Sequence, residues 1–382
     1  MKDLFFKKNL TKLLVGLISA ALFAGAVAWA NSGRPQNVIT DSTGIEYETA
    51  RVDDILADNT VADDSIEGRL RGSKVMQVEL LTGRYAGEFV EVTNYFSAMY
   101  SVDVKVGDTI CVRVDTTDVG EFSVSVYNYH RAPLLAAFIG VFALSLILIG
   151  GWQGLRAFGG LVFTFVAIVY LLLPLVLRGW PPVPLTIAVV GVTSTVCFYL
   201  LGGWQPKMVG AALGCLCGVA GAALLGQWAI DLVHVTAYQM SEAEGLILAR
   251  GDTGLKLNGL LLSGILIAAE GAVMDTAMSI ASAMAELKDK RPDIGKKELF
   301  LSGMQVGRDA TGTMANTLVL AFTGSGLNML VLLYSYRIPF NQLVNTDFVA
   351  VEIVQGVAGS MGIILTVPCV AAVTAWLLDR KK

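Results

Sequence analysis

Charge is scarce in this chain. Only 16% of its 382 residues are Asp, Glu, Lys or Arg, 54% are hydrophobic, and the mean hydropathy is +0.61. That balance excludes an ordinary soluble domain of this length and marks a multi-pass membrane protein, with the lipid bilayer as its first partner. The net charge of −4 is too slight to carry a nucleic-acid reading. Cysteine is thin as well. Cys197, Cys215, Cys217 and Cys369 fall inside apolar runs and Cys111 alone lies in a polar stretch, so no internal disulfide is expected there. Cys215 and Cys217 form a C-x-C with no nearby His, Asp or Glu to complete a metal shell, which favours small buried residues over ligands. No metal is assigned and no cofactor is expected. The strand-rich part of the chain lacks a nucleophile, base and orienting-acid set, and its lone histidine, His130, is read as structural.

What is present is a succession of apolar runs. Lys2, Lys7, Lys8 and Lys12 precede the run 13–30, which ends in Ala28-Trp29-Ala30, a small-x-small pattern that fits a removed signal peptide or a retained anchor helix. In both cases the lysines are expected in the cytoplasm and the following residues outside. Residues 31–131 then turn polar. VMQVEL, EFVEVTNYF, VDVKVGDTICVRVD and EFSVSVYNYH alternate apolar with polar residues, separated by turns such as Thr82-Gly83, Gly107-Asp108 and Val119-Gly120. A small extracytoplasmic all-β domain, barrel or OB-like, is expected.

Residues 132–382 are expected to form a transmembrane helical bundle, so that the fold as a whole is mostly α. The spans 134–150, 158–177, 184–201, 209–232, 259–284, 297–334 and 348–377 are each long enough for ~30 Å of hydrocarbon. With the first segment they make about eight, or about seven if it is removed. GGWQ recurs at 150 and 202, each time ahead of a basic residue (Arg156, Lys207), which suggests a parallel internal repeat of 134–178 and 184–232. Trp152 and Trp204 are read as headgroup anchors. Lys288, Lys290, Arg291, Lys296 and Lys297 in one loop, and Arg380, Lys381 and Lys382 at the end, fall on the predicted cytoplasmic side of a plasma-membrane protein.

Residues 260–328 are unlike the other apolar runs, because their expected helices hold Glu270, Asp275, Arg308 and Asp309. A charge at mid-membrane costs at least ~2.5–3.5 kcal/mol, so each of them needs a partner or a task. Asp275, Ser279 and Ser282 share one helical face, with Glu270 turned ~140° from Asp275; Asp309, Thr313, Asn316 and Thr317 share a face of the next helix. A short loop makes these helices antiparallel neighbours, so the stripes are expected to face each other, with Arg308 neutralising Asp275 or Glu270. Thr323-Gly324-Ser325-Gly326 predicts an unwound stretch whose freed backbone can coordinate an ion or polar solute. The last span adds Glu352, Gln355 and a row of small residues, with Pro368 expected to kink it. The expected pathway for an ion or small polar solute is therefore Glu270, Asp275, Ser279, Arg308, Asp309, Thr313, Asn316, Thr317, Gly324, Ser325, Gly326 and Glu352, and no residue is assigned a catalytic role.

EGAVMDTAMSIASAM (270–284) and GRDATGTMANTLVLAFTGSGLNML (307–330), with the strand-rich region and paired hairpins before them, resemble the YibE/F family of bacterial multi-pass membrane proteins over most of residues 45–378. The resemblance implies that topology and brings no ligand. Three classes of function stay open. One is a transporter using the intramembrane carboxylates, and another is a non-catalytic envelope assembly or sensing protein whose β domain binds an extracytoplasmic partner. The third is an intramembrane hydrolase with Asp275 and Asp309 as an acid dyad. Gly307-Arg308-Asp309 departs from the G-x-G-D of aspartyl intramembrane proteases, and an arginine beside the dyad would hold both carboxylates ionised, so an enzyme is the disfavoured reading.

Overall fold

A computed structural model describes residues 20–32, 44–64, 66–97, 101–116, 122–240 and 243–380, without the side chains of 249–253. The lysines at 2–12, the start of the first apolar run, the Val119-Gly120 turn and Lys381 and Lys382 lie outside the described residues. The chain divides into two compact units, 40–145 and 146–382, the second also taking in 1–39.

The first unit is built on six strands, β1 (Ile45–Asp58), β2 (Val61–Ala62), β3 (Leu70–Leu80), β4 (Phe89–Phe96), β5 (Thr109–Thr116) and β6 (Phe122–Tyr129). All the pairings are antiparallel, in the order β2-β3-β1-β5-β6 with β4 also on β3. The closed barrel expected from the sequence is instead a half-barrel sheet, since no ladder joins β4 to β6 among the described residues. Alternation does predict the inward faces of β3, β4 and β5, where Met76, Val78, Leu80, Val92, Ile110, Val112 and Val114 are buried.

β1 is the strand the sequence hid. It pairs with both β3 and β5, yet its buried residues include the small Ala50 and Val52, and register shifts after Val52 and Ile55 break its period of two. Lys74 on β3 is 7% exposed and lies 2.6 Å from Asp103 and 3.4 Å from Asp58. Burial works against its charge, but the two carboxylates outweigh it and raise the Lys74 pKa above the ordinary value. Tyr129 accepts the Asp103 amide and donates to the Asp103 carbonyl, pinning the segment that also buries Val102 and Val104.

The helices are α1 (Ala20–Asn31), α2 (Ala132–Ala167), which runs through a π turn into α3 (Leu173–Leu177), α4 (Pro182–Gly202), α5 (Pro206–Val233), α6 (Ala243–Thr253), α7 (Leu260–Lys290), α8 (Lys296–Ser325), α9 (Leu327–Ser335), α10 (Phe340–Val344) and α11 (Asp347–Asp379). Among the described residues, five runs are long and apolar enough to cross a membrane, six if the bent α8–α9 pair is one span. The expected eight also counts α1, a shorter apolar helix, and divides the run 132–177 at Gly151. Gly151 sits at φ 57, ψ −135 inside α2, so the hairpin loop expected at 150–156 is a single-residue corner. Gly203, the same position of the second GGWQ, also takes positive φ, 67, with ψ −163.

Close packing in this unit follows the small residues. A Cβ on Gly214 of α5 would come within 2.7 Å of the Val370 Cα, and one on Gly218 within 3.1 Å of the Gly362 carbonyl oxygen, so α5 and α11 meet backbone to backbone. α7 lies against α4, α5, α8 and α11, and its Leu262, Ile265, Leu266, Val273, Ala277, Ile280 and Met284 are buried. α11 continues as helix through Pro368.

Candidate functional site

Glu270 is the acidic residue the bundle encloses. It is 5% exposed, and its Oε1 accepts hydrogen bonds from the hydroxyls of Thr193 (2.5 Å) and Ser194 (3.2 Å) on α4. The Cys215 thiol of α5 donates to the Ser194 hydroxyl at 3.6 Å, and Cys197, one turn beyond Thr193, is buried with Thr164 of α2 3.7 Å from its sulfur. No Lys, Arg or His lies within ion-pair distance of Glu270 among the described residues. A carboxylate taken out of water in this way is supported by hydroxyl dipoles alone.

The Thr193 hydroxyl can serve either protonation state of this acid. With Glu270 ionised it donates to the carboxylate. With Glu270 protonated it can accept instead, turning its own hydrogen to the carbonyls of Val189 or Val190, each 3.0 Å away. The hydroxyl of Thr193 therefore stays paired in either protonation state of Glu270.

Open pockets of mixed polar and apolar lining lie beyond Glu270 in both directions along α7. One of about 340 Å³ is lined by Gln227, Asp231, Asn258 and Leu262, and another of about 240 Å³ by Gln153, Gln205, Lys207 and Met278. Leu262 and Met278 are each eight residues from Glu270, or ~12 Å at the helical rise.

The remaining predicted residues are arranged differently from expectation. Asp275 and Ser279 do share a face of α7, and Asp309, Thr313, Asn316 and Thr317 a face of α8, but all six are exposed. Arg308 is exposed too and forms no ion pair with Asp275 or Glu270, which corrects the expected buried pairing. Asp309 accepts from Gln305 one turn earlier at 3.5 Å, and the Thr313 and Thr317 hydroxyls bond back to the carbonyls of Ala310 and Thr313. Asp275 makes no hydrogen bond with any described residue. The physical reason lies in α8, whose buried residues Leu299, Gly303, Gly307 and Leu318 set the packed face and leave Asp309 ~160° from Gly307.

The stretch 323–326, expected to unwind, is instead helical as far as Ser325 and broken by a bend at Gly326 alone. α8 ends at Ser325, α9 begins at Leu327, and the pair bends by 61°. Gly324 and Ser325 are exposed, while Gly326 faces α11, where an added Cβ would lie 3.3 Å from Glu352 Oε1. Glu352 Oε2 is buried without a hydrogen-bond partner among the described residues. Of the predicted set, Gly326 and Glu352 are thus brought together, and Glu270 is gathered with residues the sequence reading passed over. A signal for those was present. Thr193-Ser194-Thr195 interrupts an apolar helix with three consecutive hydroxyls. The C-x-C divides, with Cys215 buried and Cys217 exposed, against the expectation that both are buried.

Residues 138–380 match the family model described as YibE/F-like protein. The chain belongs to the YibE/F-like family. The matched stretch holds all the helices from α3 onward and leaves out the β strands, which the sequence resemblance had included. Comparison with curated proteins and with solved structures gave no match.

Proposed function

We propose that this member of the YibE/F-like family is a transporter or permease for an ion or small polar solute, with Glu270 as the proton- or cation-carrying group. The observation that carries the reading is Glu270 itself, a buried carboxylate held by two hydroxyls with no cationic partner among the described residues. An acid in the membrane interior with no structural counter-charge is a functional group by default. The pockets toward either end of α7, which include Gln227, Asp231 and Asn258 at one end and Gln153, Gln205 and Lys207 at the other, are where an approach to it would begin. Glu352, packed against Gly326 at the α8–α9 bend, gives a second acidic station. In this reading the helical unit lies in the plasma membrane and the β unit outside. The full chain, purified into vesicles, is tested for flux of protons, monovalent and divalent cations and small polar solutes. Movement of at least one above empty vesicles is expected; none across the panel overturns the reading.

A second reading, envelope assembly or sensing through the β unit, draws on Tyr47 and Tyr127, two exposed rings packed edge to face at 4.7 Å. Deleting residues 31–131 separates the two: flux that survives the deletion supports transport, and loss of a co-purifying partner supports assembly.

A further inference from the structure

We propose that the exposed polar face of α7 and α8 is covered by a second copy of this chain, in a symmetric homodimer in which Arg308 meets Asp309 of the partner subunit. Asp275 is 15 residues from each end of α7, and Asp309 is 13 and 16 residues from the ends of α8. At 1.5 Å per residue both sit ~20 Å from a helix end, the depth of the hydrocarbon centre. Exposed charges at that depth require a polar cover, because lipid tails offer none.

Glycine on these helices gives an independent sign. A Cβ added to Gly214, Gly218, Gly303 or Gly307 would collide with a neighbouring helix, so these glycines are used in packing. Gly264 and Gly271, one face of α7, and Gly312, beside Asp309 on α8, would meet nothing within 4 Å. Small residues at spanning-helix surfaces are where another helix comes close, and here no described helix of the single chain does so.

The charges select the occupant. Copies of one sequence insert with the same orientation, so a two-fold axis runs along the membrane normal and residues of equal depth meet across it. Arg308 and Asp309 are adjacent and differ in depth by ~1.5 Å, so this face carries its own complement. A second copy therefore satisfies both charges, while hydrocarbon satisfies neither. The inference holds whether or not Glu270 carries an ion.

The test uses the full chain in its native membrane, with two differently tagged copies co-expressed and a photoreactive residue in place of Asn316 on the polar face, or of Leu224 on an exposed apolar face of α5. Irradiation at 316 is expected to join the two tags, and irradiation at 224 is not. Arg308→Asp alone and Asp309→Arg alone each place like charges opposite one another, and each should lower the adduct roughly tenfold or more. The double exchange should restore it. Adducts at 316 to lipid or to other proteins only, or no stronger between tags than at 224, overturn the proposal, as does a double variant that inserts normally and recovers nothing.

Discussion

Glu270 and Asp275 stand five residues apart on one helix and live in different surroundings. The first is enclosed by α4 and α5 and held by two hydroxyls; the second is exposed and bonded to nothing among the described residues. The ~140° between them decides this, because the apolar stripe of α7 takes in one carboxylate and leaves out the other. The lesson is that a buried acid without a counter-charge and an exposed acid without a partner pose different problems. The first is solved within the chain by dipoles, and the second needs a surface from outside it.

Substitutions can break or sharpen this contrast between interior and outer face. The largest effect is expected from Gly214→Leu, which would force α5 off the Val370 backbone and destabilise the helical unit by about 3 kcal/mol or more, while Gly312→Leu, in open space, should stay within ~0.5 kcal/mol in the single chain. Melting of the two variants in detergent compares them. Next comes a buried charge of the opposite kind, in the β unit. Lys74→Met removes the charged hydrogen bond to Asp103 and the ion pair with Asp58 and should cost about 1.5–3 kcal/mol.

The sign of its pH dependence follows from the raised pKa. The Lys74 contribution is fully present below its unfolded value of 10.5 and is lost as pH rises through the higher folded value. Wild type should therefore lose stability from about pH 10.5 upward more steeply than Lys74→Met, as a melting series against pH would show. Thr193→Val keeps the shape and removes one donor to Glu270, for roughly 1 kcal/mol. Smallest of all, Asp275→Asn in the monomer should change stability by less than ~0.5 kcal/mol, since no described residue of the single chain bonds to it.

Much of this architecture was legible. Hydropathy gave the apolar spans, alternation gave β3 to β6, and the Gly-Ser-Gly break gave the bend between α8 and α9. Periodicity correctly assigned which residues share a face, as with Asp275 and Ser279, but it carries no information about which face is packed inward. That depends on where neighbouring helices present glycine, as Gly303 and Gly307 do toward α7 and α11, and so on tertiary structure. The partners of Glu270 were hidden for the same reason. Thr193 and Ser194 lie 77 and 76 residues away, and only the packing of α4 on α7 joins them. β1 was missed because bulges and small buried side chains blur its alternation.

The most direct measurement compares wild type with Glu270→Gln in sealed vesicles, with matched amounts of inserted protein and the ion or solute that wild type moves. Glutamine keeps the shape and an acceptor for Thr193 but cannot hold a proton or a charge, so the account predicts flux indistinguishable from empty vesicles. Flux at the wild-type rate would contradict it.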